Sequence, residues 1–569
     1  MKPNLTIIRF IFSFILLCVF VLVFRLYVIQ VVDAEKYSAS ADQQQKKPTS
    51  HLFNRGTISF SKKDGGLVSA ATLQSGYIVA INPQILKNPE EVYEKLSSIV
   101  PDIDRDTFLA KANKVNDPYE EILKRVNSET GEKIKNLKIT GLNIFNDKWR
   151  IYPGESMSAH VLGIVAYKGD ELAGRYGLER YYEDNLKKDN QVSYRNFFVG
   201  IFSSIKDGLS GVAKYEGDIV TTIEPIVEAF FESELEQINK KWSSDYTGGI
   251  IIDPKTGEII AMAMYPTFNP NSFQEEKNSA IFSNPLVENV YEMGSIIKPL
   301  TVSAGLDSGS ITPDTTYFDT GSMTLNNKTF SNYDGKGRGL ISMQEVLNQS
   351  LNTGAAFVVQ KMGKENFSKY MFGFGLGEKT GIDLPNEAMN LVDNLKSPRD
   401  IEHATASFGQ GIALTPIATV RALSSLANGG VLIYPHIVKE IKYTTGLSKK
   451  ISPEPGRRVL KPETAEAISK MLVKTVDTSI IEGKIKIPNY SVAAKTGTAQ
   501  IAKEGGGGYY DDRFLHSFFG YFPAYDPRFL VFLYTYHPKG IRFSSETLPV
   551  PFMNIAKFLI NYYEIPPDR

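Results

Sequence analysis

At 569 residues the chain exceeds what one compact core usually covers, so two or three domains are expected. Lys+Arg and Asp+Glu both number 63, which leaves no net basic field for nucleic acid, and 42% hydrophobic with 11% aromatic residues excludes extensive disorder. The only cysteine, Cys18, rules out an internal disulfide or a cysteine metal cluster, while 6 histidines without an H-E-x-x-H pair, and no G-x-S-x-G elbow, argue against a zinc hydrolase and a histidine-activated serine.

The first predicted element spans a membrane. Ile7 to Val32 is apolar apart from Arg9 and Arg25. The charge-free stretch from Phe10 to Phe24 would cover about 22 Å as a helix, short of a hydrocarbon core of about 30 Å. With both arginines snorkelling toward the interfaces, the longer run crosses. No A-x-A site follows it directly, so it reads as an uncleaved anchor and not a signal peptide. Lys2 and Arg9 favour a cytoplasmic N-terminus, which makes residues 1–6 a cytoplasmic tail, residues 7–32 the anchor, and the rest extracytoplasmic. Asp33 to Gln45 is polar and reads as the anchor helix continuing into water.

Residues 33–220 form the next expected unit. Arg55 to Ile58 and Gly76 to Pro83 read as strands, and residues 84–140 as charged, solvated helices. His160-Val-Leu-Gly163 and Gly174-Arg-Tyr-Gly177-Leu-Glu179 read as loop and packing signals with no chemistry of their own.

Near Thr221 the character changes, and residues 221–569 are read as a second domain. Ile226 to Ile238 has helical apolar spacing. Gly248 to Asp253 and Glu258 to Met264 flank the turn Pro254-Lys-Thr-Gly257, a hairpin signal. Leu423 to Gly429 and Pro462 to Val476 read as helices, and Ser491 to Ile501, Ser517 to Pro523 and Phe529 to Tyr536 as strands. Met553 to Tyr563 is a final helix with Ile555, Phe558, Leu559 and Tyr562 on one side; core packing is preferred there over a membrane role. Together they imply an α+β domain, a mostly antiparallel sheet flanked by helices. Gly505 to Gly508 reads as a mobile lip of a cleft or a plain flexible insertion.

Three strings in this domain carry chemistry: Ser295-Ile-Ile-Lys298, Ser350-Leu-Asn352 and Lys495-Thr-Gly497-Thr498. S-x-x-K alone recurs by chance about twice in such a chain. It also occurs at Ser59-Phe-Ser-Lys62 and Ser203-Ser-Ile-Lys206, both in polar surroundings and read as surface loops. Ser295 instead opens an apolar segment that reads as the start of a buried helix, with Pro299 suited to its first turn and Lys298 on the serine's face. A serine hydroxyl needs a base close by, and Lys298 can serve if burial and a second cation such as Lys495 lower its pKa.

The set S-x-x-K, S-x-N and K-T-G, at intervals of 55 residues (295 to 350) and 143 residues (352 to 495), resembles that of the penicillin-binding proteins and serine β-lactamases. The segments at Arg55, Gly76, His160 and Gly174 resemble class B, monofunctional members, although Ser59-Phe-Ser-Lys-Lys-Asp-Gly65 stands where those carry an acidic-basic-Asn-Gly turn. The resemblance implies a transpeptidase domain behind an elongated, pedestal or dimerisation-like N-terminal domain. It implies a peptidoglycan D,D-transpeptidase that forms a serine acyl-enzyme at D-Ala-D-Ala, releases D-Ala, and is trapped by β-lactams. Ser295 would be the nucleophile and Lys298 its base. Ser350 would relay a proton, Asn352 would hold Lys298 and the substrate amide, and Lys495 and Thr496 would bind the substrate carboxylate. Gly497 would leave room for a peptide added to the strand edge. The backbone N–H groups of Ser295 and Thr498 would form the oxyanion hole.

No metal or cofactor is called for. Expected partners are stem peptides from a lipid-linked donor, an amine acceptor, the membrane and a multi-pass membrane glycosyltransferase. The absence of a recognisable deacylating glutamate favours transfer over hydrolysis. Rival readings are a D,D-carboxypeptidase, a β-lactam sensor and a non-catalytic scaffold. The large preceding domain and anchor weigh against the first, the short tail against the second, and the intact motif set against the third.

Overall fold

The computed structural model describes residues 53–169, 171–188, 216–451 and 456–569. The expected tail, the anchor over 7–32, the polar run after it and the string at Ser203 fall outside these residues. Among the described residues no helix is long and apolar enough to cross a membrane.

Close contacts divide the chain into two compact units. The smaller holds residues 73–149. In it the part of the strand Leu67–Ile81 from residue 73 onward pairs antiparallel with Glu120–Val126, Tyr77 opposite Val126 and Val79 opposite Leu123. The strand Leu142–Ile151 also pairs with Leu67–Ile81, and three short helices, Pro89–Ser97, Arg105–Ala112 and Ser128–Lys135, pack with them. Local chemistry starts two of them: Asp104 accepts from Thr107 N–H and Asn127 from Thr130 N–H, satisfying donors that the first turn leaves free. Val79, Ile81, Leu96, Phe108 and Ile134 form the core. The charged stretch expected to be all helix therefore contains a strand, because tertiary pairing overrides the polar composition of Glu120–Val126.

The larger unit gathers the described residues of 55–72, 150–188 and 216–569. Ile58–Ser61 pairs in parallel with Gly217–Thr221, Ile58 opposite Ile219, which ties the early segment to the later one. Ser59, expected in a surface loop, lies in this strand between the buried Ile58 and Phe60. The Gly174–Glu179 segment also does more than pack. Glu179 is fully buried and accepts from Arg55 Nε at 2.5 Å and Arg150 Nε at 2.6 Å. Burial alone would raise the Glu179 pKa, but Arg150 and Arg55 together outweigh it and hold the carboxyl below its usual range.

The rest of this unit is built on an antiparallel sheet. In chain order it contains helix α1 (Pro225–Trp242), strands β1 (Tyr246–Ile252) and β2 (Ile259–Tyr265), and helices α2 (Lys298–Asp307), α3 (Met343–Asn348), α4 (Asn352–Met362) and α5 (Pro462–Thr478). Strands β3 (Ala493–Ala502), β4 (Tyr509–Phe522) and β5 (Phe529–Tyr536) and helix α6 (Pro549–Tyr562) follow. The sheet order is β3-β4-β5-β1-β2, so β3 is an edge.

Alternation along each strand sends residues to opposite faces. Ile251, Val531 and Leu533 join Val227, Phe231, Leu235 and Ile238 of α1 and Phe552, Ile555 and Leu559 of α6. Ile250, Ile252, Phe532 and Tyr534 face the other way, onto a core shared with Leu300 of α2 and Leu472 of α5. Phe558 of α6 stacks on Phe230 of α1 at 4.0 Å, so the last helix packs on the core as expected. β4 begins at Tyr509, earlier than its expected start near Ser517.

Candidate active site

The turn that carries Ser295 is held from several sides. Gly294 N–H donates to Gly409 O at 3.3 Å, and Glu292 accepts from Gly411 N–H at 3.0 Å and from the Tyr509 hydroxyl at 2.9 Å. Gly294 has φ +63°, and a Cβ there would lie 2.7 Å from Thr498 O, so only glycine lets this turn approach β3. Ser295 lies in a 3-10 turn, Gly294–Ile297, and the helix starts at Lys298, with Pro299 in its first turn.

Lys298 is 0% exposed, and its Nζ reaches Ser295 Oγ at 3.0 Å, Ser350 O at 2.5 Å and Ser350 Oγ at 3.3 Å. Lys495, 2% exposed on the edge strand, donates to Ser350 Oγ at 3.0 Å and Thr496 O at 3.0 Å. Ser295, Lys298, Ser350 and Lys495 thus form one continuous hydrogen-bonded chain, from parts of the sequence up to 200 residues apart (295 to 495). Burial, with the Lys495 charge as a second cause, pushes Lys298 well below the usual lysine range. Burial pushes Lys495 down to about 7.

Asn352 stands at the start of α4 and donates from Nδ2 to Ser331 O at 2.9 Å. Among the described residues it makes no hydrogen bond to Lys298, whose partners are the two serines. Thr498 Oγ1 accepts from Ser544 N–H at 3.0 Å. A Cβ at Gly497 would lie 2.3 Å from Ser517 Oγ and 2.7 Å from Met293 O. Glycine at this position thus lets β4 and the turn that carries Ser295 both approach the strand closely.

These residues open on a cleft of about 550 Å³, lined by Ser295, Ser350, Asn352, Lys495, Thr496 and Thr498, with Lys298 buried behind it. The motifs did not point to the rest of the wall, which includes Tyr333, Phe408, Phe514, Arg542 and Phe543. Tyr333 and Phe543 meet edge to face at 5.8 Å, and the Arg542 guanidinium lies 5.9 Å from the Phe514 ring centre. No short string marks such residues; the pairing of loops distant in sequence assembles them. Among the described lining residues there is no aspartate or glutamate.

The sequence profile of the penicillin binding protein transpeptidase domain matches residues 247–554, and that of the penicillin-binding protein dimerisation domain matches residues 54–197. Stage V sporulation protein D of Bacillus subtilis is 30% identical over 545 residues, covering 93% of this chain and 81% of the relative. Peptidoglycan D,D-transpeptidase FtsI of Buchnera aphidicola is 25% identical over 579 residues, covering 98% and 95%. The crystal structure of penicillin-binding protein 2X from Streptococcus thermophilus superposes with a TM-score of 0.73 at 21% identity, covering 90% of this chain and 80% of that one, a likeness of fold.

Proposed function

The chain belongs to the class B penicillin-binding proteins, and on that footing we propose that the Ser295 cleft performs peptidoglycan D,D-transpeptidation. The observation that carries this reading is the Ser295–Lys298–Ser350–Lys495 chain in a cleft whose described lining holds no carboxylate.

Neutral Lys298 takes the Ser295 proton as Oγ attacks the carbonyl of the penultimate D-alanine. The oxyanion develops against the N–H groups of Ser295 and Thr498. Lys495 and Thr496 hold the terminal carboxylate while the substrate backbone lies along β3, whose outer edge has no partner strand among the described residues. The proton on Lys298 passes through the Ser350 hydroxyl to the departing amine. D-alanine leaves, and the peptide remains as an ester on Ser295. An acceptor amine then attacks that ester, its proton returns by the same route, and a cross-link forms with Ser295 regenerated. A β-lactam ring opens in the first step but leaves no departing group, so its ester persists. With no carboxylate among the described lining residues to activate water, transfer outcompetes hydrolysis.

The charge pattern at the N-terminus and the function itself support a further part of this reading. Residues 7–32 anchor the chain with its N-terminus in the cytoplasm, and the catalytic part works outside beside a membrane glycosyltransferase that supplies glycan. The test is product analysis. A lipid-linked pentapeptide donor with a polymerising glycosyltransferase should give mainly cross-linked dimers; mainly tetrapeptide with free D-alanine would identify a carboxypeptidase instead.

A further inference from the structure

Ser350 is the residue to which both buried lysines donate. It also has φ +55°, the left-handed region that residues with a side chain rarely occupy. In this conformation its carbonyl oxygen lies 2.5 Å from Lys298 Nζ while its hydroxyl stands between the two amines. Such strain persists only where neighbouring structure over-determines it.

On one side the end of α3 holds it: Ser350 N–H donates to Leu347 O at 3.4 Å and Leu351 N–H to Val346 O at 3.0 Å. On the other side α4 begins, and its first N–H groups need acceptors from outside the helix. Leu351, at the cap position, offers no side-chain acceptor. Asn332 does so from a distant loop: its Oδ1 accepts from Asn352 N–H at 2.9 Å and Thr353 N–H at 3.2 Å. Its Nδ2 donates to both carboxylate oxygens of Asp319, each at 3.1 Å. These partners fix the amide's orientation, because its oxygen must face N–H groups and its nitrogen a carboxylate. Asn332 and Asp319 are 2% and 1% exposed, so water cannot replace either contact. Asp319 is itself secured by Gly321 N–H at 3.0 Å, Arg338 N–H at 3.1 Å and the Thr353 hydroxyl at 2.8 Å.

We propose that Asn332, braced by Asp319, is a positioning residue for acyl transfer: by capping α4 from outside the helix it holds Ser350 in its left-handed conformation and so places the hydroxyl that Lys298 and Lys495 share. Neither residue belongs to the three motifs, and among the described residues neither is hydrogen-bonded to Lys298 or Lys495. The inference rests on the acyl-transfer reading above.

The test exchanges the pair in the full chain. Asn332→Asp keeps the capping oxygen but sets a second buried carboxylate against Asp319. Asp319→Asn sets one amide against another. The double variant N332D/D319N reverses the pair and restores complementarity. Stopped-flow acylation by a fluorescent penicillin separates binding from the acylation step. Each single variant should slow the acylation step by about tenfold or more while binding stays within about twofold, and the double variant should regain most of the rate. The pH profile of the acylation step should shift in the single variants and return in the double.

Single variants that melt cooperatively and acylate at the wild-type rate would overturn the inference, as would a reversed pair no faster than either single. Should N332D not fold, Asn332→Ser gives the same reading, since its hydroxyl cannot span from α4 to Asp319. A wild-type chain that takes no label on Ser295 overturns the acyl-transfer reading itself, whereas a labelled wild type with unaffected variants overturns this inference alone.

Discussion

Lysine in water has a pKa of about 10.4 and accepts no proton at working pH. Lys298 escapes that limit because it is fully buried and a second amine, Lys495, reaches the same serine hydroxyl. Arginine cannot deprotonate, so Lys298→Arg should slow acylation by about two orders of magnitude or more in stopped flow. Lys495→Arg keeps the charge that a carboxylate needs and should lose less; equal losses would show that both amines act as bases. The same burial has a consequence for stability. Lys495 has a pKa of about 7 in the fold and that of an ordinary lysine when unfolded. Between those values the unfolded chain binds more protons, so stability rises with pH across the window, from about 7 upward. Melting temperatures measured from pH 7 to about 9.5 should rise less steeply in Lys495→Met than in wild type. An unchanged slope would place the titration elsewhere.

At the scale of elements, the site depends on a turn pressed against an edge strand. A methyl group at Gly497 would enter the space of Ser517 Oγ and Met293 O, so Gly497→Ala should displace the Ser295 turn. The acylation rate of the folded protein should then fall about tenfold or more; a wild-type rate would show that the strand yields without moving the serine. Much of this frame is legible in the sequence. The hairpin of β1 and β2, the strands β3 and β5 and the helices α1, α5 and α6 carry apolar periods that match their structures. The three motifs converge because their chemistry requires it, and motif spacing survives in sequence. What escaped was set by contacts across the fold. The strand Glu120–Val126 is charged and forms only because Leu67–Ile81 is there to pair with it. β4 starts early because Tyr509 pairs with Ala502 despite the polar residues Asp511, Asp512 and Arg513 that follow it. Asn332 caps a helix 20 residues downstream, a spacing no local pattern announces. Asn352, given a role toward Lys298 by analogy, instead donates to Ser331 O.

At the scale of the whole molecule, the proposed anchor and the cleft lie about 260 residues apart in sequence (32 to 295). The account expects a reporter that fluoresces only in the cytoplasm to work ahead of Met1 and to fail after Arg569; fluorescence from both fusions would remove the proposed topology while leaving the chemistry intact. That chemistry rests on one oxygen atom. Full-length protein treated with benzylpenicillin, measured by intact mass and then mapped by peptide fragmentation, tests it directly. The account predicts a single adduct carrying the whole mass of the β-lactam on the peptide containing Ser295, and none in Ser295→Ala. An adduct on Ser59 or Ser203, or one that persists in Ser295→Ala, would contradict it.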